Sequence, residues 1–207
     1  PVKIISMLHK SAVKPELLRI LDQLMQIEAF SELRLVGGTA LALQIGHRES
    51  VDIDLFGNID FEAHEKNIEL EGNIEVLKKS ENINVLSINK IKLDIVNYRY
   101  PWISPVKKEG NYRLASVKDI GAMKLNAITG RGTKKDFIDL FYLLKLYSIN
   151  DLFDFYNEKF DDGNLFLVKK SLTYFDDAEP EPMPVMKEEI KWEEIKEHLQ
   201  TTMRQIL

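Results

Sequence analysis

Asp52 and Asp54 stand two residues apart in the run Val51-Asp52-Ile53-Asp54-Leu55-Phe56. On an extended strand, a side-chain period of two puts both carboxylates on one face and Val51, Ile53 and Leu55 on the other. Two acids aimed the same way over an apolar back face suit a hard divalent cation, and such cations serve phosphate chemistry. Upstream, a short apolar run ends in Gly37-Gly38-Thr39. Glycines let a backbone approach a phosphate closely, and the N–H groups at a helix start attract anions. The run is not a P-loop, because no Gly-Lys-Ser/Thr follows it. One short helix and a turn separate it from Asp52, so a hairpin-like return brings both to one mouth.

A third acid has the same setting. Ile91, Leu93 and Ile95 alternate with Lys92, Asp94 and Val96, so Asp94 also stands opposite an apolar face. With the two strands as sheet neighbours, Asp52, Asp54 and Asp94 form a catalytic and metal-binding triad for two Mg²⁺ (or Mn²⁺) ions. Any one of these aspartates alone reads as a solvated strand or turn residue. The spacing behind Gly-Gly-Thr is what sets them apart.

Basic residues supply the rest. Arg48, in the turn before the acids, can pair with Asp52, Asp54 or a triphosphate. His47 beside it reads as surface. Lys124 shares a helical stripe with Val117, Ile120 and Ile128, where its head either snorkels to the rim or meets phosphate. Lys135, Asp136 and Asp139 open the next helix, where a family resemblance implies a further phosphate contact at Lys135 with the two acids in support. The structural alternative is that Thr133 to Asp136 is a capping box and that Lys135 pairs with Asp139. Tyr98, Tyr100 and Trp102 read as core and loop packing ahead of base stacking. His9, His64 and His198 show no metal-ligand spacing, and no Ser-His-Asp or Cys-His arrangement is arguable.

Periodicity predicts the elements that position these groups. Pro15 opens a helix over about 14–28, followed by a strand near 33–37, a helix over 39–45 ended by Gly46, and the strand 51–56. A helix over 61–70 and strands at 74–78, 83–88 and 91–98 come next. A loop with Pro101 and Pro105 leads to Ser116, which opens a capping box with Asp119. Helices follow over about 116–128, 133–147, 150–158 and 163–175. The acidic link DDAEPEPMP then precedes a last helix over 187–206. The fold class is α/β (α+β): a small mixed-sheet core over 1–112, then a helical C-terminal region over 113–207 packed on the core.

The chain has 207 residues, 44% of them apolar, and no cysteine. That is enough to bury a core without disulfides, and thiolate metal sites are excluded. No run approaches the ~18 apolar residues of a membrane span, and PVKIISMLHKS lacks a signal-peptide core. Cytoplasmic location is expected. Pro1 fits a chain that has lost an initiator Met or been trimmed. A net charge of −5 argues against a protein that coats duplex DNA but not against a nucleotide or RNA end in a cleft.

The run Gly-Gly-Thr-x12-Asp-x-Asp resembles the first motif of the DNA polymerase beta-like nucleotidyltransferase superfamily. Within it, GGTALAL, GHRESVDIDLF and KKDFIDLFYLL are similar to the AbiEii/AbiGii toxin-type nucleotidyltransferases. The resemblance covers roughly residues 33–146, with a weaker echo in YFDDAEPEPMP. It implies that Asp52 and Asp54 ligate metal, that Asp94 is the third carboxylate, and that Gly37, Gly38 and Thr39 touch phosphate. It also implies transfer of a nucleoside monophosphate from an NTP to an acceptor hydroxyl, on a tRNA or other RNA end or a protein side chain. Toxin activity countered by a cognate antitoxin goes with it, and neither a membrane nor duplex DNA is an expected partner. Two rivals stand beside this reading. One is a nucleotide-binding regulatory or antitoxin-like module without transfer, the other an aminoglycoside-type enzyme acting on a small molecule.

Overall fold

Short runs of alternating apolar and polar residues build a seven-stranded mixed sheet. The computed structural model describes residues 8–64 and 70–206. The strands are β1 (Arg34–Leu35), β2 (Ile53–Gly57), β3 (Ile74–Lys78), β4 (Ile83–Ile88), β5 (Ile91–Asn97), β6 (Lys107–Glu109) and β7 (Tyr112–Leu114). They lie in the order β3-β4-β5-β2-β1-β7-β6. β2 runs parallel to β5 and β1 parallel to β7, while the other neighbours are antiparallel. Helices α1 (Pro15–Gln26), α2 (Gly37–Ile45) and α3 (Phe61–His64) complete this part. The helix expected over 61–70 is seen only as α3, because 65–69 lie outside the described residues.

The chain divides into two compact units. One comprises Pro1–Tyr100 with Pro105–Ala115, the other Pro101–Ser104 with Ser116–Leu207. In the first unit the apolar sheet face carries Ile53, Leu55, Leu93 and Ile95, all fully buried. β4 and β5 meet at Asn89-Lys90, both at positive φ (50° and 69°). That is the two-residue turn whose twist matches a hairpin.

Several boundaries differ from the sequence reading. β2 begins at Ile53 rather than 51, and Val51, expected on the apolar face, is 44% exposed. The expected strand over 33–37 is only Arg34–Leu35, because Gly37 and Gly38 already belong to the first turn of α2. The loop expected between Pro105 and Ser116 holds the β6–β7 hairpin. Its two central residues are Gly110-Asn111, with Gly110 at φ +58°. Its three-residue strands are too short to show alternation. The hairpin brings in Arg113, whose guanidinium donates to the carbonyls of Leu33 (3.1 Å), Met25 (2.9 Å) and Phe30 (3.0 Å). It thereby ties the end of α1 to the start of β1.

The second unit is a bundle of α4 (Val117–Gly130), α5 (Lys134–Leu143), α6 (Ile149–Lys159), α7 (Leu165–Ser171) and α8 (Trp192–Arg204). α4 packs against α5, α6 and α7, and α5 against α8. Ser116, Thr133, Ser148 and Asn164 cap the first four helices with side-chain acceptors. α5, α7 and α8 are shorter than the segments 133–147, 163–175 and 187–206 expected for them. The acidic link is tied down. Lys134 Nζ donates to the carbonyls of Glu179 and Glu181, and Trp192 Nε1 donates to the Glu179 carboxylate at 2.7 Å. A fully buried ion pair joins Lys159 to Asp119 at 2.8 Å, and Lys159 also donates to the Pro101 carbonyl.

Candidate active site

The glycine turn and the acids meet through backbone geometry. Val36 N–H donates to the Asp54 carbonyl at 2.9 Å, which sets the end of β1 against the middle of β2. Gly37 follows at φ +67°, and the Asp54 carboxylate lies where a Cβ on Gly37 would go. Only glycine combines that backbone with that approach. At Gly38 the space for a Cβ is filled by Arg48 Nη2. Arg48 is buried, and its Nη1 donates to the Glu49 carbonyl at 2.9 Å. Thr39 is buried as well. Its hydroxyl donates to the Asp52 carbonyl and shares a 2.8 Å hydrogen bond with the Ser50 hydroxyl. The start of α2 thus holds the backbone of the Asp52 turn. His47, expected on the surface, is buried.

Asp54 and Asp94 are register partners on β2 and β5, so their side chains leave the same sheet face from strands about 4.8 Å apart. Asp52 precedes β2 on the same two-residue period and is half-buried. Asp94 Oδ2 accepts from Lys92 Nζ at 2.6 Å. Asp94 Oδ1 is buried without a hydrogen-bond partner among the described residues. A buried carboxylate oxygen that no donor meets is costly unless a cation neutralises it. The all-oxygen donor set and this orphaned atom fit Mg²⁺ or Mn²⁺. Among the described residues no three His, Asp or Glu side chains are already gathered as a metal cluster. The ammonium of Lys92 supplies positive charge at Asp94 instead. Lys92 sits two residues before Asp94, and the sequence reading gave it no role.

The remaining candidates lie in the helical unit. Lys124 is buried, with Nζ 2.8 Å from Asp136 and 2.6 Å from Asp139. Both aspartates, expected at the edge of the α5 stripe, are inside it at 1% and 0% exposure. Asp136 also accepts from Thr133 Oγ1 (2.6 Å) and Arg131 Nε (3.2 Å). Burial pushes the Asp136 carboxyl up. The charges of Lys124 and Arg131, with hydrogen bonds from Lys124 and Thr133, outweigh it and hold the pKa below its ordinary value. Lys135 is exposed, while its neighbour Lys134 is the buried one.

An aromatic strip flanks the acids. Phe56 follows Asp54 on the same face, and its ring centroid is 5.3 Å from that of Tyr98. Tyr98 in turn lies 5.6 Å from Tyr100, with Arg99 over the Tyr100 ring at 4.8 Å.

Comparison with known proteins supplies relatives of the chain. The family model described as nucleotidyl transferase AbiEii toxin, type IV TA system, matches residues 19–111. The uncharacterized protein aq_aa25 of Aquifex aeolicus is 30% identical over 205 residues, spanning 94% of this chain and 98% of that protein. The crystal structure of JHP933 from Helicobacter pylori superposes with a TM-score of 0.56 at 21% identity, covering 92% of this chain and 89% of that one. The likeness to JHP933 is one of fold.

Proposed function

Because the chain belongs to the AbiEii nucleotidyl transferase toxin family, we propose that it transfers a nucleoside monophosphate from an NTP to an acceptor hydroxyl. The observation that carries this is the register of Asp54 with Asp94 beside the Gly37 turn. Two carboxylates on one face, one with an orphaned oxygen, lie next to a glycine at a helix start. That is a place for a cation and a phosphate together.

In this reading Asp52, Asp54 and Asp94 hold Mg²⁺ or Mn²⁺, and bound metal supplies positive charge to the phosphoryl oxygens. The N–H groups at the start of α2 hold the triphosphate, and Arg48 adds positive charge behind Gly38. The acceptor oxygen bonds to the α-phosphorus, and the bond from that phosphorus to the bridging oxygen of the β-phosphate breaks. Pyrophosphate leaves, and the hydroxyl proton passes to Asp94. Lys124 and Lys135 are assigned differently from each other. Lys124 neutralises Asp136 and Asp139, whereas Lys135 has an exposed head suited to an anion. The acceptor class we propose is an RNA end, tRNA above all, with a protein side chain as the other outcome. Growth inhibition relieved by an antitoxin goes with that activity.

The test is incubation of the protein with Mg²⁺, each labelled NTP in turn, and bulk tRNA. Label in RNA supports the proposal, and label in protein shifts the acceptor. NTP binding with no label in either would return the chain to a binding module.

A further inference from the structure

The acids and the aromatic strip share one sheet face, and their order along it is fixed by register. Asp54 pairs with Asp94, and one side-chain step further along both strands Phe56 pairs with Val96. Tyr98 lies beyond Val96 on the same two-residue period, with its ring against Phe56. All three are half-buried. A step of two residues advances about 7 Å along a strand, a distance that one ribose bridges.

In-line transfer constrains what can lie there, given the nucleotidyl transfer proposed above. Pyrophosphate leaves toward the glycine turn, on the β1 side of Asp54. The acceptor enters opposite it, across the strands on the β5 side. The nucleoside is an equatorial substituent of the α-phosphorus, and where it lies against the sheet it runs along the strands, toward one end or the other. Toward Asp52 the chain turns through Glu49, Ser50 and Val51, with no aromatic ring. Toward the other end stand Phe56 and Tyr98. We infer that Phe56, Val96 and Tyr98 form the platform on which the base of the bound NTP stacks.

The chemistry of this platform sets its selectivity. Ring faces and a valine offer stacking and apolar contact, which every base accepts and which larger ring systems exploit more fully. Discrimination among the four bases therefore follows ring area, with ATP and GTP ahead of CTP and UTP.

The experiment compares Mg²⁺-NTP with Mg²⁺-tripolyphosphate, which carries the same phosphate chain and no base. In the parent each NTP binds more tightly than tripolyphosphate, by roughly five- to hundredfold for one stacked base. Phe56→Leu and Tyr98→Leu shrink that ratio and leave tripolyphosphate affinity in place. Tyr98→Phe, which keeps the ring and drops the hydroxyl, preserves the ratio. Should one leucine variant fail to fold, the other still answers. An unchanged ratio in a folded leucine variant overturns the stacking platform and leaves the transfer reading standing. A parent that binds neither ligand overturns the transfer reading, and the platform with it.

Discussion

Asp54 and Asp94 face each other across adjacent parallel strands although they lie forty positions apart in the chain. Each is held there by the apolar residues beside it. Ile53 and Leu55 bury the back of β2, and Leu93 and Ile95 bury the back of β5, all at 0% exposure. A one-residue slip of either strand would send its carboxylate into the core. The register that makes the core is the register that pairs the acids.

Asp54→Asn keeps the shape of the side chain and removes one negative charge from this pair. Transfer should fall by orders of magnitude, since a negative charge that would hold the metal is lost. The melting temperature should hold or rise, because crowded carboxylates repel in the metal-free protein. A label-incorporation assay and a thermal melt on one preparation check both. A folded variant as active as the parent would falsify the catalytic assignment.

Gly37→Ala should be far more harmful than an ordinary helix-start substitution. The new methyl group meets the Asp54 carboxylate, and the backbone sits at φ +67°, a conformation that costs a non-glycine residue about 1–2 kcal/mol. Melting temperature and NTP affinity should drop together. Gly130→Ala, where a Cβ meets nothing within 4 Å, is the control and should lower neither measurement.

Lys124→Met suits the apolar stripe by shape, yet it strands two carboxylates at 1% and 0% exposure. Removing one partner of a buried ion pair typically costs about 3–5 kcal/mol, so denaturant unfolding should show a large loss. Adding Asp136→Asn and Asp139→Asn to the same chain should recover much of it. A single variant as stable as the parent would show that the cluster relaxes to admit water.

The same cluster predicts an acid limit. The folded-state pKa of Asp136 is depressed, so its stabilising contribution is present above the unfolded carboxyl value of about 3.9. It is lost as the pH falls through the lower folded value. Asp136→Asn should therefore flatten the decline of stability below pH ~4. Urea midpoints measured from pH 6 down to pH 3 on parent and variant decide the matter, and parallel curves count against it.

Arg113→Met should loosen the first unit without touching the acids. The carbonyls of Met25, Phe30 and Leu33 lose the guanidinium at once, and of these the Phe30 carbonyl keeps the Leu33 N–H as a donor. Each buried acceptor left unmet costs about 1–3 kcal/mol. Hydrogen exchange should rise at the end of α1 and at β1, while NTP affinity measured well below the melting temperature changes little.

The acids were legible in the sequence because alternation is local. Asp54 and Asp94 announce their face through the apolar residues on either side. Lys92 was not, because a lysine on a strand looks like any solvated residue until the neighbouring carboxylate is placed. Arg113 was hidden for a different reason. Its three partners lie 80 or more residues away in the chain, and no local period reports such a distance. Lys124 was visible as an oddity on an apolar stripe, but its two carboxylates sit on the next helix. The short hairpin at Gly110-Asn111 carried a turn signal that a search for longer strands passes over.

The pairing of β1 with β7 also sets an order of assembly. Leu35 finds Leu114 only after some eighty intervening residues have been laid down, and such distant contacts form late because loop closure must precede them. On the ribosome, β1 and β2 can meet early, but the other edge of β1 stays bare until β7 emerges. During that interval Leu35 shows its unsatisfied amides to any extended chain nearby. Expression temperature and synthesis rate should therefore govern yield more strongly than the stability of the finished protein does.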